Sequence, residues 1–221
     1  DFIQADITAT GGTLSGFSGS GSTYSVIFTP TADSTLPGQI SVAKDSFEDA
    51  DGNKNLAGAL ATAITIDTDA PTTAISTPSP ASVGIGETST VTITLGKPST
   101  DFAIGDIAVA GGTLGDFVAV SSTVYTVVFT PDADSTTSGT INVLAGVFTD
   151  AAGNDNTAAT PQSITVDTVA PEVTVSSNVA SVATGGTATI SFTLSEASTD
   201  FVESDVVVTG GTIASFAVDG T

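Results

Sequence analysis

The 221-residue sequence contains no His, Cys, Met or Trp, and its three basic residues are all lysines. Each absence removes a class of chemistry. Without His or Cys there is no Ser-His-Asp triad, no thiolate nucleophile, no zinc finger and no disulfide scaffold. Three lysines cannot neutralise a phosphate backbone or hold a surface to anionic lipid, which excludes nucleic acid as a partner. No apolar run approaches the ~18 residues of a membrane span. Charged residues make up only 12% of the chain, against about 25% in ordinary soluble domains. The 24 acids are an ordinary number, so the formal charge of −21 arises from missing basic residues. The surface must therefore be built from Ser, Thr, Gly and Asp. With no opening Met and no signal-peptide pattern, the chain reads as a piece of something longer.

Self-comparison reveals a repeat of about 100 residues. DFIQADITATGGTLSGF at residue 1 returns as DFAIGDIAVAGGTLGDF at 101 and as DFVESDVVVTGGTIASF at 200. Ala-Pro steps at Pro71 and Pro171 mark the boundaries. This predicts a first repeat at 1–71 lacking its opening strands, a complete repeat at 72–171, and the N-terminal half of a third at 172–221.

Within the complete repeat, Val91, Ile93 and Leu95 alternate with Thr, and Tyr125, Val127 and Phe129 alternate likewise. Period-2 runs bounded by Gly, Pro, Asp and Ser predict an all-β sandwich, with seven strands near 72–77, 88–95, 106–110, 113–118, 123–130, 140–148 and 162–168. Gly111-Gly112 reads as a tight turn between the third and fourth of these. Phe17, Phe117 and Phe216, with Phe47 and Phe148, recur at strand positions and read as core.

The runs VTITL, STDF, GGTL, FTDAAGN and the closing VDT before Ala-Pro resemble the bacterial Ig-like repeats of giant secreted adhesins and biofilm-associated surface proteins. The resemblance spans the whole chain. It implies tandem immunoglobulin-like beads of about 100 residues, strung in an extracellular stalk on the bacterial surface and commonly stiffened by calcium at the joints. It carries no ligand.

The acidic residues have an address in this scheme. Strand counting places loops 96–105 and 149–161 at the end of the sandwich where the preceding linker arrives, and loop 131–139 at the end where the chain departs. Asp101, Asp106, Asp150, Asn154 and Asp155 would then gather around the linker acids Asp67 and Asp69, with Asp33 facing the same joint. At the next joint Asp134 and Asp167, with Asp132, would face Asp200 and Asp205. Clustered carboxylates need neutralising, and hard calcium, which takes six to eight oxygens, is the expected cation. Asp49 and Asp51, followed by Gly52 and Asn53, look like the start of a calcium loop, although the distal Glu and flanking helices of an EF-hand are missing. The same residues suit plain turn chemistry. A two-carboxylate glycosidase would need a cleft with aromatics, so no enzymatic activity is expected. Besides neighbouring repeats, the expected alternatives are a filament or biofilm matrix of like chains joined by strand complementation, and repeats that themselves bind a glycan or cell-surface partner.

Overall fold

The structure, a computed structural model, describes residues 1–217 and is built of strands and short 3-10 turns. It falls into two compact units, Asp1–Thr168 and the remainder from Val169.

In the first repeat the strands are β1 (Ile7–Thr10), β2 (Gly12–Ser20), β3 (Thr23–Pro30), β4 (Gln39–Val42) and β5 (Gly58–Ala59). They form a three-stranded sheet β1-β4-β5 and the hairpin β2-β3. The complete repeat adds β6 (Thr73–Ile75), β7 (Ser82–Val83), β8 (Ser89–Leu95), β9 (Ile107–Ala110), β10 (Gly112–Ala119), β11 (Val124–Pro131), β12 (Gly139–Val143) and β13 (Gln162–Val166). Two four-stranded sheets result, in the orders β10-β11-β8-β6 and β7-β13-β12-β9. All pairings are antiparallel except β13 with β7. This is the sheet partition of an immunoglobulin-like sandwich.

The core lies between the sheets and follows from the alternation. Val91, Ile93 and Leu95 of β8, Tyr125, Val127 and Phe129 of β11, Ile141 and Val143 of β12, and Ile164 and Val166 of β13 all point inward and are buried. Every second side chain is Thr, Ser or another residue left nearer solvent, so each strand closes one face of the sandwich.

Three expectations need correction. Gly111-Gly112 is not a hairpin turn, because β9 pairs with β12 while β10 pairs with β11. The chain changes sheet there. Gly111 has a left-handed φ of 73°, and a Cβ on Gly112 would lie 2.3 Å from the Thr130 carbonyl, so only glycine passes. The strand expected at 140–148 ends at Val143, because a side chain takes the backbone N–H groups of Val147 and Phe148. An eighth strand, β7, also appears, too short for alternation to reveal.

The second unit contains β14 (Val173–Ser177) paired antiparallel with β15 (Ile190–Leu194). Residues 206–209 and 212–217, which align with β9 and β10, are not strands. Their counterparts pair with β12 and β11, and the third repeat has neither of those strands within this chain.

Of the recurring phenylalanines, Phe148 is buried in the core and Phe117 packs against it, whereas Phe17, Phe47 and Phe216 are half-buried, and each repeat has an aromatic cluster. The Phe102 ring packs edge-on against Phe117, Tyr125 and Phe148, at centroid distances of 5.9, 4.9 and 5.1 Å. Phe2 packs edge-on against Phe17 and Tyr24 and tilted against Phe47, and Phe201 packs tilted against Phe192 and Phe216.

Candidate functional site

Three segments converge where the first repeat joins the second: the linker around Asp67–Pro71, the loop after β8 that carries Lys97, and the long loop between β12 and β13. The last is shaped by its own sequence. Asp150 Oδ1 accepts hydrogen bonds from the N–H groups of Ala152 (2.9 Å) and Asn154 (3.0 Å), while Gly153 adopts a φ of 86°. The Asn154 side-chain amide donates to Asp150 Oδ2 at 3.0 Å. An aspartate that accepts from the amides following it closes a turn that Gly completes. Asn156 fastens the base of the same loop. Its Oδ1 accepts from Val147 and Phe148 N–H, and its amide donates to the Leu144 and Thr157 carbonyls.

Lys97 reaches across this end of the sandwich. Its Nζ lies 2.7 Å from Asp67 Oδ1, 3.1 Å from Asp150 Oδ2 and 3.6 Å from Asp69 Oδ2, and it also donates to the Asp69 carbonyl. A second strap runs from the Asn154 amide to the Asp67 carbonyl at 3.1 Å. The linker is also fixed from behind. Thr68 Oγ1 donates to Thr31 O at 2.7 Å and accepts from Ser34 N–H, both in the first repeat. Pro71 is buried and its carbonyl accepts from Thr157 N–H in the second.

Of the expected site residues, Asp67, Asp69, Asp150 and Asn154 are thus brought together. The others have different tasks. Asp101 accepts from Ser99 Oγ (2.6 Å) and from the N–H and hydroxyl of Thr149, tying loop to loop within the second repeat. Asp106 and Asp205 accept the Ala103 and Val202 N–H groups at the starts of 3-10 turns, and Asp200 accepts from Ser198 Oγ. Asp33 and Asp134 sit in left-handed turn conformations, φ 49° and 51°. The Asp167 N–H donates to Val83 O. Asp49 closes the first-repeat turn through Asp51 and Asn53 N–H, as Asp150 does in the second. Sequence reasoning missed Lys97, Asn156 and Thr68. Lys97 carried one available signal: it is the lone lysine of the complete repeat.

Calcium does not fit this joint. It would need six to eight oxygens at about 2.3–2.6 Å, whereas the position facing Asp67 and Asp150 is filled by an ammonium. Asn154 turns N–H donors, not an oxygen, toward the same carboxylates. Among the described residues no group of three or more acidic side chains is arranged to hold a metal ion.

Both charges at the centre are stabilised. Hydrogen bonding to Asp67 raises the Lys97 pKa above its ordinary 10.5 against the opposing effect of burial, with Asp150 adding to the rise. Burial alone would push Asp150 up, but hydrogen bonds from Asn154, Lys97 and Ala152 together outweigh it and hold the carboxyl well below its ordinary 3.8. The lysine contribution is complete below pH 10.5 and lost as pH rises through its raised folded value. The Asp150 contribution is complete above pH 3.8 and lost as pH falls through its depressed folded value. Asp150→Asn should therefore cost about 2 kcal/mol near neutrality, where charged hydrogen bonds are lost. Its deficit against the parent should shrink as pH falls below 3.8, and urea unfolding at pH 7 and pH 2.5 would check this. A deficit equal at both values would show that the charge is immaterial.

Compared with protein-family models, the chain matches one described as a bacterial Ig-like domain three times, over residues 1–66, 67–166 and 167–221. No curated protein and no solved structure matches it. No helix among the described residues is long and apolar enough to cross a membrane.

Proposed function

Because the chain belongs to the bacterial Ig-like domain family, with its repeats in tandem, we infer that it is a spacer segment of a cell-surface adhesin stalk. Domains of this family are in general structural, non-catalytic units and are often extracellular. The observation that supports the spacer reading is the linker. Thr68 binds it to the first repeat, while Pro71 and Asp67 bind it to the second, so tension along the chain meets hydrogen-bonded β-structure on both sides of the joint. The −21 charge would keep neighbouring stalks apart. Adhesion itself would lie in other parts of such a protein.

The test is intact-cell labelling with an antibody against the chain, together with in-frame removal of residues 72–171 from the parent gene. That deletion joins one Ala-Pro step to the next and preserves the repeat register. Labelling without permeabilisation and a shortened surface layer in electron micrographs are expected. Labelling only after permeabilisation would overturn the reading.

A further inference from the structure

We propose that the joint between the first and second repeats carries its own tethered cation, the Lys97 ammonium, in the place where the family resemblance implies calcium, and that its stiffness is consequently independent of divalent metal. An ammonium has three N–H donors. Here three acceptors meet it: Asp67 Oδ1 and the Asp69 carbonyl from the linker, and Asp150 Oδ2 from the second repeat. No donor remains to be satisfied, and the ammonium ties the linker to the second repeat, while Thr68 ties the same linker to the first. A calcium ion could enter only by displacing a positive group that is covalently attached and already centred among the carboxylates.

The surroundings favour this arrangement. The Asp150 side chain is only 2% exposed and Lys97 only 22%, so solvent screens the pair less than it would a surface bridge. Gly96, just before the lysine, donates its N–H to the Thr72 carbonyl at 2.8 Å, and a Cβ on it would lie 2.4 Å from Thr72 Oγ1. Glycine there lets the end of the linker lie close beside the lysine loop. Asn154 binds linker and loop together even if the ammonium is removed, which makes Lys97 a stiffening element on a joint that still holds.

The latch is not a general property of the repeat. The third repeat has Ser195 where the second has Gly96, Glu196 in place of Lys97, and Val169 where the first linker has Asp69. Three substitutions, one a reversal of charge, distinguish the two stretches although the flanking motifs are retained. A joint-by-joint choice of chemistry gives a stalk a way to set its stiffness locally. That purpose rests on the spacer reading, whereas the geometry of the latch does not.

The experiment uses the full 221-residue chain. Cysteines placed at the exposed positions Ser22 and Ser122 are unique, because the chain has none of its own. Spin labels on them report the distribution of distances between the first and second repeats. The parent pair should give one narrow distribution, unchanged between 5 mM calcium and chelator, with the same melting temperature in both buffers. Lys97→Met, which keeps the length of the stem and removes the charge, should broaden the distribution about twofold, since loosely joined domains move by default. Lys97→Arg should restore most of the narrowness. Circular dichroism of each variant confirms that the β-structure remains, as expected for a residue outside the core. Narrowing of the parent distribution in calcium would overturn the proposal, as would a Lys97→Met distribution as narrow as the parent's. Neither result would bear on whether the chain is displayed at the cell surface.

Discussion

Replacing Phe102 by Ala should lower the stability of the second repeat by about 3–5 kcal/mol, the range for truncating a buried aromatic. A change of this size corresponds to a melting temperature lower by on the order of 15–30 °C for a domain of this length. Phe102 is 7% exposed, and its ring meets Phe117, Tyr125 and Phe148 edge-on. These partners come from β10, β11 and the loop after β12. The cavity left by the ring would be walled by rigid aromatics on strands already paired to neighbours, so little collapse can refill it. The effect should also spread to the joint. Phe102 follows Asp101, whose carboxylate holds Thr149, and Phe148 precedes Thr149, so unpacking the hub frees both loops that present Lys97 and Asp150 to the linker. Phe2→Ala in the first repeat should cost less, because Phe2, Phe17, Tyr24 and Phe47 are only half-buried. Urea titration with tyrosine fluorescence reads these differences. A Phe102→Ala cost under about 1 kcal/mol would mean that the hub is not the keystone of this end of the sandwich.

The elements that alternate were legible, and the choices between sheets were not. Tyr125, Val127 and Phe129, or Ile164 and Val166, declare an inward face within five residues, because the period of two is local. The convergence of loops 96–105 and 149–161, and the placement of 131–139 beside the departing linker through Thr168, followed from counting strand reversals. Which strands become neighbours is a long-range matter. The Gly-Gly pair looks the same whether the chain folds back on itself or crosses between sheets, and only β11 and β12, later in the sequence, decide the matter.

The candidate site divides along the same line. That acids would collect where the linker arrives was readable, because Asp67, Asp150 and Asn154 occupy loops of known destination. Their neutraliser was not readable. A ratio of 24 acids to three lysines makes any one lysine look negligible, yet neutralisation is settled by which group reaches the carboxylates. Lys97 sits two residues beyond the end of a core strand, on a stem long enough to reach the linker. Asp106 errs in the opposite direction. Its position in the sequence suited the cluster, but a 3-10 turn immediately before β9 needed a cap, and the nearer task claimed the side chain.

Asn156→Ala should cost about 3 kcal/mol, the other large effect, without touching the core or a charge. The Asn156 side chain makes four hydrogen bonds: it accepts from Val147 N–H at 2.8 Å and Phe148 N–H at 3.1 Å, and donates to Leu144 O at 2.7 Å and Thr157 O at 2.9 Å. It therefore stands in for a strand partner exactly where β12 has ended and the backbone would otherwise be unpaired. Because the residue is only 3% exposed, water cannot replace all four bonds, and buried donors left unmade carry the desolvation cost. Asn55 makes the same four contacts in the first repeat but is half-buried. Asn55→Ala should accordingly cost about half as much, since solvent can reach the freed groups. Asn156→Asp separates the two halves of the role, because its carboxylate keeps the acceptor oxygens and loses both donors, whereas the protonated carboxyl regains one O–H donor. It should fall between the parent and Asn156→Ala in acid, once the new carboxyl is protonated, and approach Asn156→Ala where it is ionised. Loosening this clamp should also widen the spread of distances across the first joint, since Asp150 and Asn154 ride on the loop that it closes. Equal costs for Asn55→Ala and Asn156→Ala would show that burial does not set the strength of the clamp, and an unchanged spread would show that the joint holds independently of it.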